Sequence, residues 1–269
     1  MRTSRYVFPV AAALGFGFLY IPILILVVYS FNASKLVTVW GGFSTQWYVE
    51  LFRDPQILDA AKLSLQIAAV SATLALILGL AAAMTLVRFH WFRGRTWLTG
   101  MVAAPLVMPE VITGLSLLLL FVALDNLFGW PSGRGVTTII LAHTTFGMAF
   151  VAVIVQSRLR GMDRTLEEAA MDLGARPLIV FLTITIPTIA PALVAAWLLA
   201  FTLSLDDLVI ASFVSGPGSS TLPMVVFSKV RLGISPDINA LATLMILIVG
   251  LGGAIGFWQI RRSMRRRIH

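Results

Sequence analysis

Long apolar stretches separated by short polar turns set the pattern of this chain. The first runs from Phe8 to Phe31, behind Arg2 and Arg5. Its length suits one crossing of a bilayer, which takes about 20 apolar residues. It has no convincing A-x-A cleavage site near its end, so it reads as a retained transmembrane helix rather than a signal peptide. Further apolar runs predict spans at about residues 63–87, 98–124, 136–156, 183–214 and 238–260. With the first at about 8–31, that makes six transmembrane helices. Between the first two spans lies a longer polar segment, Asn32 to Asp59. There Ser44 is placed to cap a short helix carrying Trp47, Tyr48, Leu51 and Phe52. Aromatics at that density suit a helix at the membrane surface or a packed outer loop.

Finer patterning marks individual spans. Ala75, Gly79 and Ala83 recur every fourth residue, a small-xxx-small face that lets helices approach closely. Gly252 and Gly256 repeat the pattern in the last span, which Ser235-Pro236-Asp237 opens with a cap, a first-turn proline and an acid. Pro105 and Pro109 each remove a backbone hydrogen bond from the third span and predict a bend. Pro187 and Pro191 do the same in the fifth. Freed carbonyls at membrane depth are tolerated only where protein or water supplies partners. His143, in the fourth span, reads as a packing histidine bonded to a neighbouring helix. Gly216-Pro217-Gly218 closes the fifth span, and Leu222 to Val230 returns along the surface.

One polar stretch interrupts this pattern, TLEEAAMDLGARPLIVFLTITIP from Thr165 to Pro187. Thr165 and Glu168 have the spacing of a capping box. A short helix is expected from about Leu166 to Leu173. Gly174 suits the left-handed residue that ends a helix, and Pro177 the first turn of the next. Glu168 and Asp172 share a face, and Arg164 offsets part of their repulsion. From these residues alone the helix is either a solvated loop or a docking element.

Composition narrows the class. Of 269 residues, 58% are hydrophobic and 12% charged, about half the charge of a soluble domain. The chain is expected to be one all-α membrane domain over residues 1–269. With no cysteine it has no disulfide and no thiolate chemistry. His90, His143 and His269 are too scattered for a zinc site. The net charge of +8 does not point to nucleic acid, because the basic residues flank apolar spans. Fourteen Lys and Arg fall with the termini, the 88–95 turn and the segment after the fourth span that holds the 163–187 loop (Arg158 and Arg160 included), and six on the other side: Lys35, Arg53, Lys62, Arg134, Lys229 and Arg231. The positive-inside rule therefore puts both termini and that loop in the cytoplasm.

No Gly-Lys-Ser/Thr is present, since Lys35, Lys62 and Lys229 all lack a preceding glycine. The chain is not expected to be a P-loop ATPase. No nucleophile–base pair, metal cluster or cofactor motif is visible. Three acids stand inside spans. Glu110 is near the middle of the third, where an unpaired charge costs about 2.5–3.5 kcal/mol. Asp206 and Asp207 lie toward the far end of the fifth. Each has a structural alternative: a carboxylate bonded across helices for Glu110, a wetted helix end for the pair. No span carries an obvious basic partner at that depth, which suggests a cationic passenger.

Glu168-Ala169-Ala170, Gly174 and Ile184-x-Ile186-Pro187 resemble the EAA loop of ABC importer permeases, with Ile186 where the family prefers Leu. SLDDLVIASFVSGPGSSTLPMVVFS (Ser204–Ser228), APLVMPEVITGLSLLLLF (Ala104–Phe121) and WGGFSTQWYVELF (Trp40–Phe52) resemble the polyamine (putrescine and spermidine) branch of that family. The resemblance covers nearly the whole chain. It implies six transmembrane helices of the MetI-like type with a cytoplasmic coupling helix, in the bacterial inner membrane. It implies ATPase coupling through Glu168, Ala169, Ala170, Asp172, Gly174 and Pro187, and a substrate path touched by Glu110, Asp206 and Asp207. The implied partners are a second permease subunit, two copies of a cytoplasmic ATPase and a periplasmic polyamine-binding protein. The alternatives are an importer permease for another solute, a gradient-driven secondary transporter, which leaves the EAA-like loop unexplained, and a scaffold, which leaves the buried acids unexplained.

Overall fold

The computed structural model of the chain describes residues 4–36, 39–89, 91–233, 236–248 and 250–251. Nearly all of them are helical. In chain order the helices are α1 (Ser4–Tyr29), α2 (Gln46–Leu51), α3 (Pro55–Arg88), α4 (Arg95–Val107), α5 (Glu110–Phe128) and α6 (Val136–Arg160). After them come α7 (Thr165–Asp172), α8 (Pro177–Val180), a π turn at Phe181–Thr185, α9 (Ile186–Asp206), α10 (Val209–Val214) and α11 (Leu222–Leu232). A shorter apolar helix, α12 (Pro236–Ile248), begins where the sixth span is expected. Among the described residues, five stretches are long and apolar enough to cross a membrane: Phe8–Tyr29, Pro55–Arg88, Glu110–Phe128, Val136–Arg160 and Pro177–Asp206. His90, Ser235, the Gly252 and Gly256 face and the basic tail with His269 lie outside the described residues.

The chain divides into two compact units, Met1–Leu58 with Val226–His269, and Asp59–Val225. In the first, the polar segment after α1 is organised by Asn32. Its fully buried side chain accepts from the Gly41 N–H at 2.7 Å and donates to the Val39 carbonyl at 2.8 Å. Trp47 Nε1 donates to the Asn32 carbonyl at 2.6 Å, which packs α2 inward. Ser44 Oγ accepts the Gln46 N–H at the start of α2. Lys229 Nζ bridges Asp54 at 2.7 Å and Asp237 at 3.0 Å. Its hydrogen bond, above all, holds the Asp54 carboxyl below the usual range. Burial pulls the Lys229 ammonium down, but the two carboxylates outweigh it and hold it above its usual range.

In the second unit, α6 is the most buried span, and small residues explain how closely its neighbours approach. Ala75 and Ala83 of α3 are fully buried. A Cβ at Gly79 would lie 2.6 Å from Val151 Cγ1 and 2.9 Å from the Met148 carbonyl of α6. One turn away on α6, a Cβ at Gly147 would lie 3.2 Å from Ala75 Cβ of α3 and 3.5 Å from Ala200 Cβ of α9. Val151, Val155, Leu159, Ile189 and Ala196 fill the core between these helices. The stripe read from the sequence is thus the α3–α6 seam.

Two spans are broken rather than bent. In the third, Met108 is extended at ψ 137° and separates α4 from α5. A residue before proline is pushed out of the helical region by the ring, and here Pro109 does so while Pro105 stays inside α4. In the fifth, Asp207 is extended at ψ 124° and separates α9 from α10. Pro191 is accommodated within α9.

Candidate functional site

Helix α7 starts one residue earlier than its sequence implies, and differently. The expected capping box does not form: Thr165 is the first helical residue, and its N–H donates to Asp163 Oδ1 at 3.0 Å. A carboxylate two residues ahead outcompetes a hydroxyl for that end, because charge-assisted bonds are the stronger. These bonds from Thr165 hold the exposed Asp163 carboxyl below its usual range. The other end forms as expected. Gly174 has φ +88°. Its N–H donates to the Met171 carbonyl at 2.9 Å, and the Ala175 N–H to the Ala170 carbonyl at 3.0 Å. That pair of bonds is the Schellman closure. Pro177 then opens α8 at its first turn.

The faces of α7 differ sharply. Glu168, Ala169, Asp172 and Gly174 are exposed and Ala170 is half-buried. Leu166 and Met171 are exposed as well, and Leu173 is 91% exposed. The adjacent acid, Glu167, is buried. Its Oε1 accepts from Arg88 Nη2 at 2.5 Å and from Thr185 Oγ1 at 2.5 Å. Sequence reasoning placed only Glu168 here and missed Glu167, Arg88 and Thr185. The one signal was a span ending on an arginine with two consecutive acids in the loop. Pro187 is not part of the α7 surface; it lies exposed in the first turn of α9, past the π turn where the Ile186 N–H reaches back to the Phe181 carbonyl.

The three acids fall at the two helix breaks. Glu110 is the exposed first residue of α5, after the Pro109 break. Asp206 ends α9, exposed, and Asp207 occupies the next break. One turn beyond Glu110, a Cβ on Gly114 would lie 2.7 Å from Phe213 Cδ2 and 3.3 Å from Ile210 Cα. The start of α5 therefore packs against α10, which begins two residues after Asp207.

Asp207 is bonded differently from the other two. Its carboxylate accepts the Ala211 N–H at 2.7 Å and the Ile210 N–H at 3.2 Å, capping α10. His143 Nε2 lies 3.0 Å from its Oδ2, and His143 Nδ1 lies 2.6 Å from Ser204 Oγ. The expectation that no basic side chain faces these acids therefore fails for Asp207, while the reading of His143 as bonded to a neighbouring helix agrees with this geometry. Neither Glu110 nor Asp206 has an ion pair among the described residues. A cluster of His, Asp or Glu able to hold a metal is likewise absent among them.

Broken apolar spans and an exposed helix ahead of a span suit a membrane transport subunit. The chain belongs to the family described as binding-protein-dependent transport system inner membrane component, whose family model matches residues 75–269. It is therefore a multi-pass inner-membrane permease of the ABC importer class. It is 63% identical to the putrescine transport system permease protein PotI of Escherichia coli K12, over 95% of this chain and 91% of that one. It is 42% identical to the spermidine/putrescine transport system permease protein PotC of the same strain, over 87% of this chain and 86% of that one. Its fold matches the crystal structure of a bacterial ABC transporter for the acidic polysaccharide alginate. The TM-score there is 0.74 with 17% identity, covering 96% of this chain and 94% of that one.

Proposed function

We propose that this subunit carries putrescine, or a closely related polyamine, across the inner membrane, with Glu110 and Asp206 as the side chains that meet the two ammonium groups. The observation that carries the reading is the exposure of both carboxylates beside neighbouring helix breaks. A diamine presents one positive charge at each end of an apolar stem, so two separated acids between apolar walls match it. Broken helices are where transport proteins build such sites, with unwound carbonyls and half-helix C-terminal ends meeting cations, and Asp206 stands at such an end. The relatives' names agree with a polyamine passenger.

The same reading makes the exposed face of α7 the surface that docks a cytoplasmic ATPase. Its acids Glu168 and Asp172 and its apolar Leu166, Met171 and Leu173 give a partner both charge and grease to grip. Two ATPase copies, a second permease subunit and a periplasmic polyamine-binding protein complete the importer. Both termini and the 163–187 loop are cytoplasmic. ATP binding closes the ATPase pair, α7 moves with it, and the path switches the side to which it opens.

Affinity purification in mild detergent tests the assembly. An ATPase and a second permease are expected in the eluate, and their absence from a well-folded preparation would refute the reading. Orientation is checked with single cysteines in a chain that has none. Ser132→Cys and Ser220→Cys, both at exposed positions, are expected to react with an impermeant reagent outside the cell. Asp172→Cys is expected to be protected, and its labelling from outside would reverse the topology.

A further inference from the structure

Three polar tethers hold the first turn of α7. Glu167 Oε1 accepts from Arg88, the last residue of α3, and from Thr185, the last residue of the π turn ahead of α9. Arg164 Nη2 adds a bond to the Val87 carbonyl at 3.2 Å. The Arg88 and Glu167 side chains are 16% and 11% exposed. A charge so far removed from water is costly without its partner, so the carboxylate stays where it is held. Two donors on one oxygen also fix the direction in which α7 meets each of them. Glu167 and Glu168, about 100° apart on the helix, therefore face opposite duties: one inward to the spans, one outward.

We propose that Glu167 is a positioning residue through which any displacement of α7 passes to α3 and α9 together; the proposal rests on α7 being the coupling element. Both gripped helices lead to the acids. Helix α9 ends at Asp206. Helix α3 packs through its small-residue seam on α6, whose His143 holds Asp207. A contiguous run of packed helices is the physical route such coupling takes. Two spans moved from one oxygen turn in step, which a hinged loop would not enforce.

The test uses the complete importer with its binding protein in proteoliposomes, reading putrescine taken up per ATP hydrolysed. Glu167→Gln keeps the shape and loses the charge. It is expected to retain all subunits and ATP hydrolysis while uptake per ATP falls about ten-fold. Thr185→Val is expected to lower the same ratio about three-fold, with Thr185→Ser restoring it. If these variants only reduce the amount of assembled complex, with uptake per ATP unchanged, Glu167 is a structural residue and the proposal fails. Should Glu167→Gln not assemble, the Thr185 pair decides by the same ratio. Leu173→Asp, on the exposed face, separates the two readings. If the ATPase still co-purifies with it, the coupling role of α7 falls. If the ATPase is lost with it but the ratio is unchanged in Glu167→Gln and Thr185→Val, only the joint falls.

Discussion

Glu110→Gln and Asp206→Asn are each expected to cut putrescine uptake at least ten-fold while the complex assembles normally. Both carboxylates are exposed at helix breaks and lack an ion pair among the described residues, so neutralising either leaves no buried group stranded. Glu110 stands in the first turn of α5, where its loss forgoes a helix-dipole interaction of about 0.3–1 kcal/mol, too little to unfold the subunit. Removing one charged partner from a desolvated ammonium, by contrast, costs roughly 2–5 kcal/mol. Asp207→Ala is expected to behave in the opposite way. It deprives His143 and the Ile210 and Ala211 N–H groups of their acceptor, at about 1–3 kcal/mol for a buried donor left unpaired. Lower melting temperature and lower abundance should therefore precede any specific loss of transport. The measurements are labelled putrescine uptake at matched membrane abundance and the melting temperature of the purified complex. Wild-type uptake in both Glu110→Gln and Asp206→Asn would show that these acids do not meet the passenger.

Gly174→Val is expected to insert and fold but to lose most ATPase co-purification and nearly all uptake. Space is not the obstacle, because nothing lies within 4 Å of the position its Cβ would take. The obstacle is φ +88°, where a β-branched residue costs about 1–3 kcal/mol of backbone strain. That energy comes out of the Schellman closure that fixes the angle between α7 and α8. Asn tolerates the left-handed region far better than Val. Gly174→Asn should therefore recover most of the uptake, and the pair separates conformation from bulk. Normal uptake with Gly174→Val would remove α7 from the coupling route.

What could be read from the sequence was what neighbouring residues decide. Gly174 and Pro177 announce a turn through their own backbone preferences, and Ala75, Gly79 and Ala83 announce a seam through their spacing. The two spans with paired prolines were harder. Pro105 and Pro191 sit inside helices while Pro109 ends one, and the difference lies in whether the preceding residue turns extended, as Met108 does. Thr165 has the spacing of a cap, but the Asp163 carboxylate two residues ahead is the stronger acceptor and takes the Thr165 N–H. The contacts that organise the site are long-range: Arg88 and Glu167 are 79 positions apart, and His143 and Asp207 are 64 apart. No local pattern encodes such pairs, so nothing near Glu167 sets it apart from Glu168, or Asp207 from Asp206.

The π turn at Phe181–Thr185 gives the fifth span a phase. Each residue of an α-helix advances the azimuth by about 100°, so the additional residue in that turn sets the bearing of every side chain after it. Asp206 faces as it does because of five residues at the opposite end of its helix. Apart from Thr185, composition along that stretch is free to drift among apolar residues, but its length is not: a single deletion within the turn would swing the acid by more than a quarter of a revolution. The span is in this sense a keyed shaft, whose timing is cut at one end and used at the other.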